Sequence, residues 1–210
     1  MKAGVVIIGG GGHAKVVIES LRASGKTVAV IVDADPTPRE VLGVPVVGDD
    51  LALADLKEQG FSELFVALGS NRLRQKLWAK ARDLGFTLVN AIHPSAVISP
   101  SARIGQGVAI MAGVAINADS RIGDLAIVNT GAVIDHDCDL GEACHVGPAS
   151  ALAGGVIVCE RAFLGVGARA IPGVRIGADT IIGAGGVVVR DLPDAVLAVG
   201  VPAKIKGDRP

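Results

Sequence analysis

The stretch that decides the fold runs from residue 98 to residue 127 and reads, in groups of six, ISPSAR IGQGVA IMAGVA INADSR IGDLAI. The same spacing continues to residue 188: of the sixteen residues at every sixth position from Ile98, fifteen are Val, Ile or Leu, and Ala170 is the exception. The residue two places before each of them is small or compact, and Gly often follows directly. A period of six fits neither an isolated α-helix, with about 3.6 residues per turn, nor a simple alternating strand.

A six-residue period does fit a triangular coil in which three six-residue sides make one turn. Equivalent residues of successive turns then stack at the parallel-strand spacing of about 4.8 Å. The aliphatic residues form ladders that point into a narrow prism and stabilise it by about 1.5–3 kcal/mol per fully buried side chain. Small residues and Gly suit tight corners, where a bulky side chain or a negative φ would strain the bend. The pattern predicts a parallel β-helix of hexapeptide repeats over residues 93–210.

The composition agrees with a repetitive aliphatic core. Hydrophobic residues make up 50% of the 210 residues and aromatic residues only 2%, whereas an irregular core normally uses large rings as anchors. The formal net charge of −1 provides no long-range field to attract nucleic acid or an anionic membrane. The aliphatic run Val5–Ile8 is too short for a signal-peptide core, and no stretch approaches the roughly 18 apolar residues that membrane insertion requires. We therefore expect a cytoplasmic protein.

Residues 1–92 follow a different rhythm and predict a small Rossmann-like α/β domain. Strands are expected at residues 5–8, 28–32 and 64–68, and helices at about residues 14–23 and 73–84. Alternating strands and helices predict a parallel sheet covered by helices. The expected division is therefore an N-terminal substrate-binding domain followed by the β-helix.

Four successive glycines, residues 9–12, occupy the first strand-to-helix turn of this domain. Glycines there let backbone N–H groups approach a phosphate, and the helix N-terminus adds a positive dipole end. Asp33, about 20 positions on, suits a ribose hydroxyl. An NAD site is disfavoured because only one mononucleotide-sized half is present, and a tight turn without a ligand is the alternative. The predicted substrate-binding residues are Gly11, Gly12, His13, Asp33, Ser70 and Asn71.

Two of the four histidines, His136 and His145, lie in the repeat but off its ladder positions, so both should project outward. Acyl transfer to an amine needs a proton acceptor, stabilisation of the developing oxyanion, and positioning of the reactants. His136 is the candidate general base, because imidazole titrates near neutral pH, and Asp137 follows it directly. The cysteines nearby, Cys138 and Cys144, occupy small-residue positions that packing explains. A zinc β-helix of the γ-carbonic-anhydrase kind needs three outward histidines, so we predict no metal.

Several motifs resemble those of the hexapeptide-repeat acyltransferases, and more narrowly of the family of sialic-acid O-acetyltransferases and sugar N-acetyltransferases. They are GGGGHAK at residues 9–15, AIHPSAVIS at 91–99, IDHDC at 134–138 with CHVGP at 144–148, and GVPAK at 200–204. The similarity covers nearly the whole chain. Within the family, the sequence looks closest to N-acetyltransferases of nucleotide-linked 4-amino-4,6-dideoxy sugars, and GDP-linked perosamine is the expected acceptor.

The resemblance implies a left-handed coil, acetyl-CoA as the donor, and a homotrimer with active sites between subunits. It also implies that the Asp137 carboxylate raises the basicity of His136, and that His145 contacts acetyl-CoA. Backbone groups of Gly154, Val166 and Ala184 are expected along the pantetheine arm, with the Gly154 N–H as oxyanion donor; Ala184 stands where some relatives have Gly. The product would serve surface polysaccharide synthesis, such as that of O-antigen.

Other functions stay open on the sequence alone. O-acetylation of a sialic acid or a similar sugar would offer no nucleotide to the N-terminal domain. A metal-dependent hydratase or a non-catalytic assembly protein would use the prism as a scaffold. The base of the nucleotide, GDP or UDP, and the stereochemistry of the sugar are likewise open.

Overall fold

The computed structural model describes residues 3–35 and 37–208. The chain divides into two compact units, Met1–Pro94 and Ser95–Pro210. Each unit buries a hydrophobic core of its own. None of the helices in the described ranges combines the length and the hydrophobicity that crossing a bilayer requires.

The first unit is an α/β domain built on a small parallel sheet. Its strands are β1 (Val5–Ile8), β2 (Val28–Val32), β3 (Glu40–Val41), β4 (Val44–Pro45), β5 (Glu63–Val66), β6 (Thr87–Leu88) and β7 (Ala91–Ile92). Its helices are α1 (Gly12–Ala23), α2 (Leu53–Glu58) and α3 (Asn71–Asp83), with a 3₁₀ turn at Asp50–Ala52. The sheet order is β2-β1-β5-β6, and all three pairings are parallel.

The sheet creates a crevice at the carboxyl ends of its central strands. All four residues of β1 are buried, and α1 packs on the sheet through apolar residues at helical spacing: Ala14, Val17, Ile18 and Leu21. The chain leaves β1 toward β2 on one side and later returns to β5 on the other. Such a reversal of strand order is where open α/β sheets bind ligands.

The second unit is the predicted three-sided parallel β-helix. Its two-residue strands are β8 (Val97–Ile98), β9 (Arg103–Ile104), β10 (Ala109–Ile110), β11 (Ala115–Ile116), β12 (Arg121–Ile122), β13 (Ile127–Val128), β14 (Val133–Ile134), β15 (Asp139–Leu140), β16 (His145–Val146), β17 (Ala151–Leu152), β18 (Ile157–Val158), β19 (Phe163–Leu164), β20 (Arg169–Ala170), β21 (Arg175–Ile176), β22 (Ile181–Ile182) and β23 (Val187–Val188). Two longer strands, β24 (Val196–Val199) and β25 (Lys204–Asp208), follow.

These strands form three walls. The first wall contains β10, β13, β16, β19 and β22; the second contains β8, β11, β14, β17, β20 and β23; the third contains β9, β12, β15, β18 and β21. Partners are one coil apart, as in the pairing of Ile116 with Ile134 and of Ile134 with Leu152. The fold class expected from the sequence is confirmed.

The ladder residues fill the prism as predicted. Ile110, Ile134, Leu140 and Val146 have no exposed surface, and at about 1.5–3 kcal/mol each such side chains dominate the stability of the coil. The regular ladder ends after β23. There the pairing of Ile182 with Ala198 skips only sixteen residues, and β25 closes the coil as an antiparallel partner of β24.

The glycines that follow the ladder residues serve a different purpose from the one expected. A Cβ on Gly123 would lie 2.8 Å from the backbone of the next coil, and one on Gly165 would lie 2.7 Å from the Ala184 nitrogen. Close approach of coils therefore requires glycine there, not a positive φ. The left-handed residues stand two positions further on, at Leu125 and Gly167 for example.

Candidate functional site

His136 lies at an outer edge of the prism, where the chain turns from the second wall to the third. We call residues 135–138 the histidine corner. The imidazole is 60% exposed, and its Nδ1 is 2.7 Å from Oδ2 of Asp137. Asp137 has a left-handed backbone, with φ of 59°, and its N–H donates to the Ala118 carbonyl of the preceding coil. The two predicted catalytic side chains are therefore in contact.

The carboxylates beside His136 favour its protonated form. The hydrogen bond that His136 donates to the Asp137 carboxylate raises the pKa of His136 above its ordinary value, and the negative charge of Asp135 adds to this. With Nδ1 engaged by Asp137, Nε2 is the ring atom that can exchange a proton with a bound molecule. The arrangement suits a general base, which needs a pKa near the working pH.

Gly154 lies one coil after His136 and is covered by its imidazole. A Cβ at this glycine would lie 2.5 Å from Cε1 and 2.7 Å from Nε2 of the ring. The N–H of His136 is capped by the carboxylate of the preceding residue, Asp135. Gly154 instead follows Ala153, whose side chain cannot accept a hydrogen bond. Gly154 therefore lies beside the imidazole of His136, and its N–H has no side-chain acceptor on the preceding residue.

His145 differs from the outward, accessible position that we expected. It precedes the ladder residue Val146 and so points away from the prism axis, yet only 8% of it is exposed. Its ring packs edge-on against Phe163, with centroids 5.0 Å apart. Its Nε2 is 3.2 Å from Nδ2 of Asn129. The Asn129 Oδ1 accepts the Thr130 N–H, so the Asn129 amide turns its NH₂ group toward Nε2 of His145.

Val166 and Ala184 lie at another edge of the prism, where the first wall turns into the second. Both are exposed, Val166 by 55%. Their column is separated from the column of His136 and Gly154 by the width of the second wall. A single prism therefore does not bring Val166 and Ala184 close to His136 and Gly154.

The first unit contains a cavity of about 270 Å³ at the carboxyl ends of β1 and β2. Its lining is mainly apolar and includes three charged residues, Asp33, Asp50 and Lys76. The other lining residues are Ile8, Gly9, Val32, Ala34, Leu68, Leu73 and Leu77. The volume is just below the roughly 300–1,000 Å³ of drug-sized ligand pockets. It suits a flat ring system of nucleoside size.

Asp33 is fixed at the end of β2 by several donors. Its carboxylate accepts the N–H groups of Gly10 and Asp35 and one guanidinium N–H of Arg39. Burial raises the pKa of Asp33, but these hydrogen bonds and the Arg39 charge outweigh it, so the pKa lies below its ordinary value. Asp33 thus holds the glycine turn and remains an anionic acceptor beside the cavity.

His13 sits in the first turn of α1, which begins at Gly12 with Gly11 as its N-cap residue. Burial, reinforced by the positive charge of Arg74, lowers the pKa of His13 to about 4. The imidazole is therefore neutral at physiological pH.

Ser70 and Asn71 begin α3, and they reveal a residue that the sequence analysis missed. Asn71 is buried, and its Oδ1 accepts a hydrogen bond from Arg74, which is itself only 1% exposed. Arg74 also donates to the Leu68 carbonyl at 2.8 Å. This buried guanidinium ties the loop after β5 to the helix that follows.

The two cysteines nearest to His136 and His145, Cys138 and Cys144, are packed as small buried residues. Cys138 is 1% exposed, and its thiol donates to the Ala153 carbonyl; Cys144 is fully buried. In residues 3–35 and 37–208, no three or more His, Cys, Asp or Glu side chains are grouped as metal ligands would be.

A hexapeptide coil that displays a histidine–carboxylate pair on its outer edge, preceded by an α/β unit with a nucleoside-sized cavity, defines an acyltransferase of the β-helix class. The model of the PglD N-terminal domain matches residues 4–81. A crystal structure of a histidine-to-asparagine variant of perosamine N-acetyltransferase from Caulobacter crescentus, in complex with CoA and GDP-perosamine, is 82% identical, with a TM-score of 0.97 and 99% coverage of both chains. The chain belongs to this family of PglD-like hexapeptide-repeat acetyltransferases, as its motifs predicted.

More distant relatives agree with this assignment. The acetyltransferase domain of PglB from Neisseria gonorrhoeae, solved with acetyl coenzyme A, is 41% identical, covers 98% of this chain and 100% of its own, and has a TM-score of 0.90. UDP-N-acetylbacillosamine N-acetyltransferase of Bacillus subtilis is 42% identical over 111 residues, 51% of each chain. Galactoside O-acetyltransferase of Lactococcus lactis matches over 25% of its length. The chain thus spans about a quarter to a half of these two curated relatives.

Proposed function

We propose that the protein transfers the acetyl group of acetyl-CoA to the 4-amino group of GDP-perosamine. The observation that carries this proposal is the exposed His136 imidazole, with Nδ1 held by Asp137 at 2.7 Å and the ring lying over Gly154. The relative that is 82% identical over its whole length was crystallised with CoA and GDP-perosamine, which supports the choice of both substrates.

In this reaction His136 accepts a proton at Nε2 as the acceptor amine attacks. Asp137 stabilises the imidazolium through Nδ1, and it keeps the ring in the orientation that the attack requires. The Gly154 N–H donates to the acyl oxygen as that oxygen gains negative charge, a contribution of about 2.7–4 kcal/mol in other acyl transfers. The protonated His136 can then return its proton to the departing thiolate. The donor supplies an acetyl group already activated as a thioester, so the protein needs no covalent acyl intermediate.

The donor would lie along the edge between the first and second walls. Val166 and Ala184 are exposed there, and main-chain atoms can bind the amide groups of a pantetheine arm whatever side chain the position carries. His145, oriented by Asn129, would contact the acyl end of the donor. Only 8% of His145 is exposed in a single chain, so little of its surface is available for this contact.

The acceptor nucleotide would occupy the cavity of the first unit. The apolar walls suit the base, and the ionised Asp33 suits a ribose hydroxyl. The diphosphate would meet the N–H groups of Gly11 and Gly12 at the start of α1, with the neutral His13 donating a hydrogen bond. Ser70 and Asn71 would contribute through the N-terminus of α3, because the Asn71 side chain is already bonded to Arg74.

A homotrimer would complete the active site. His136 and Gly154 occupy one edge of the prism, whereas Val166 and Ala184 occupy another. Two edges of the same prism are held apart by the wall between them. In a trimer, however, the edge with His136 in one subunit can lie against the edge with Val166 in the neighbouring subunit. In this arrangement residues 1–92 hold the acceptor, residues 93–210 hold the donor and the base, and the enzyme works in the cytoplasm to supply surface polysaccharide synthesis.

Release of free CoA from acetyl-CoA in the presence of GDP-perosamine tests the proposal. We expect turnover with GDP-perosamine, and His136→Asn should lower kcat by about 10²–10⁴-fold. The Caulobacter relative was crystallised as histidine-to-asparagine and histidine-to-alanine variants with both ligands, so histidine substitutions in that protein allow folding and ligand binding, which makes His136→Asn a practical experiment. Full activity of His136→Asn would remove the base from the mechanism.

Binding of GDP alone, measured by calorimetry, separates this function from sugar O-acetylation. The galactoside O-acetyltransferase match lies in a short segment, and an O-acetyltransferase of free sugars has no use for a nucleotide cavity. Heat of binding with GDP and none with a free galactoside is the expected result. The reverse outcome would favour O-acetylation.

A further inference from the structure

The histidine corner contains a second carboxylate, Asp135, that is tied to the neighbouring coil. Its Oδ1 accepts the His136 N–H at 2.8 Å and the side-chain amide of Asn117 at 2.9 Å. Asn117 lies 18 residues earlier, at the same position of the preceding coil. Asn117 therefore fixes Asp135, and Asp135 fixes the main chain of His136.

The same edge of the coil forms elsewhere without such a pair. One and two coils later, Ala153 and Ile171 replace Asp135, and neither side chain can accept a hydrogen bond. The coil-to-coil bonds are nevertheless kept, because Gly155 N–H donates to the His136 carbonyl and Gly173 N–H to the Gly154 carbonyl. The Asn117–Asp135 pair is therefore not required for the chain to turn at this edge of the coil.

Ser120 provides the contrast with a purely structural contact. Its hydroxyl donates to the Asp135 carbonyl. Ser150 and Thr180 repeat this contact at the other edges, where they donate to the carbonyls of Gly165 and Pro193. The serine contact is a general feature of the coil, whereas the Asn117–Asp135 contact accompanies the coil that carries the histidine.

The charges around the imidazole are few. On its own corner Asp137 bonds the ring and Asp135 lies beside it, while the thiol of Cys138 is buried, which raises its pKa. The preceding coil adds the carboxylate of Asp119, and residues 153–156 of the following coil carry no titratable side chain. The bond from Asn117, with that from the His136 N–H, lowers the pKa of Asp135. Asp135 is therefore ionised whenever His136 titrates.

Resting on the proposed role of His136 as the base, we propose that Asp135, held by Asn117, is a positioning residue for this histidine. It fixes the main chain so that the imidazole stays over Gly154 with Nε2 toward the acceptor amine. Its second effect is electrostatic, since its charge stabilises the imidazolium that forms when the amine loses its proton.

Two substitutions separate these effects. Asp135→Asn removes the charge but keeps an oxygen that can accept the hydrogen bonds from Asn117 and from the His136 N–H. Asn117→Ala keeps the charge of Asp135 and removes the hydrogen bond from the Asn117 amide. Asp139→Asn, on the exposed side of β15, removes the same charge from the third wall and is the matched control. The readouts are the pH profile of kcat/KM and the NMR titration of the His136 imidazole, assigned by comparison with His136→Asn.

For Asp135→Asn we expect the imidazole pKa and the acid limb of kcat/KM to move together to lower pH, with KM little changed. For Asn117→Ala we expect kcat to fall by up to about 10²-fold, the effect of misplacing a catalytic group, with a pKa close to the parent value. Asp139→Asn should change neither quantity.

The inference is overturned if Asp135→Asn and Asn117→Ala both behave like Asp139→Asn. A parent imidazole pKa that persists in Asp135→Asn would also refute the electrostatic part. The titration needs no turnover, so it still tests Asp135 if the parent fails to acetylate GDP-perosamine. That failure would count against the proposed function instead.

Discussion

At the scale of single residues, the site depends on what lies under the base. The imidazole of His136 covers Gly154 so closely that any side chain there would displace it. The column itself accepts a Cβ, since Ala118 occupies the same position two coils earlier. Glycine at position 154 is therefore required by the histidine and not by the backbone.

This contact predicts the effect of Gly154→Ala. The added methyl group would push the ring away and weaken its bond to Asp137, so kcat should fall by about 10²-fold, while the thermal unfolding temperature should hardly change. Steady-state kinetics and calorimetric unfolding measure both. In a His136→Ala background the same substitution should cause little further loss, because the clash no longer exists. Equal losses in both backgrounds would show that position 154 acts independently of the imidazole.

At the scale of elements, α3 depends on a buried cation. Arg74 is the largest of the fully buried side chains, and it donates to both the Leu68 carbonyl and Asn71. Arg74→Met should destabilise the first unit by about 2–4 kcal/mol, because the buried Asn71 Oδ1 and the half-buried Leu68 carbonyl lose their donor. The single tryptophan, Trp78, lies in α3, so its fluorescence during urea denaturation follows this unit.

The control for Arg74 is Arg82→Met, from the same helix. Its guanidinium is 62% exposed and contacts Asp83 at 3.5 Å, and surface pairs of this kind contribute about 0–1 kcal/mol. Unfolding midpoints for Arg74→Met and Arg82→Met that coincide would contradict the structural role of the buried arginine.

The sequence predicted some elements far better than others. The coil strands followed from the six-residue period, because every six-residue side of the coil requires one buried aliphatic residue at the same position. Strands β1 and β2 have the predicted bounds, whereas α3 begins at residue 71 and not at 73, and the short β3, β4 and α2 have no period that could reveal them.

The site divides in a similar way. His136 and Asp137 are neighbours in sequence, so their pairing could be predicted. Asn117 with Asp135, and Gly154 with His136, are neighbours only after the chain has wound one turn, and reading the sequence in rows of eighteen would have aligned both pairs. The burial of Arg74 could not be predicted from the sequence, because nothing in the sequence distinguishes it from the exposed arginines of the same helix.

At the scale of the whole molecule, the outer faces of the second and third walls differ in chemistry. The outward residues of the second wall are mostly small and apolar: Val97, Ala115, Val133, Ala151, Arg169 and Val187. Those of the third wall are mostly charged: Arg103, Arg121, Asp139, Ile157 and Arg175. Charged residues are depleted from the cores of protein interfaces, so the proposed trimer should form through the second wall.

A matched pair of substitutions tests this assembly. Val133 on the second wall and Ile157 on the third are 41% and 40% exposed, so an aspartate at either position is equally accessible in a single chain. Val133→Asp should dissociate the trimer and abolish acetyl transfer, since the edge with His136 would lose the edge with Val166 and Ala184. Ile157→Asp should remain a trimer with parental kcat. Light scattering coupled to size-exclusion chromatography gives the mass, and CoA release gives the rate; an active monomer of Val133→Asp would mean that one chain contains the whole site.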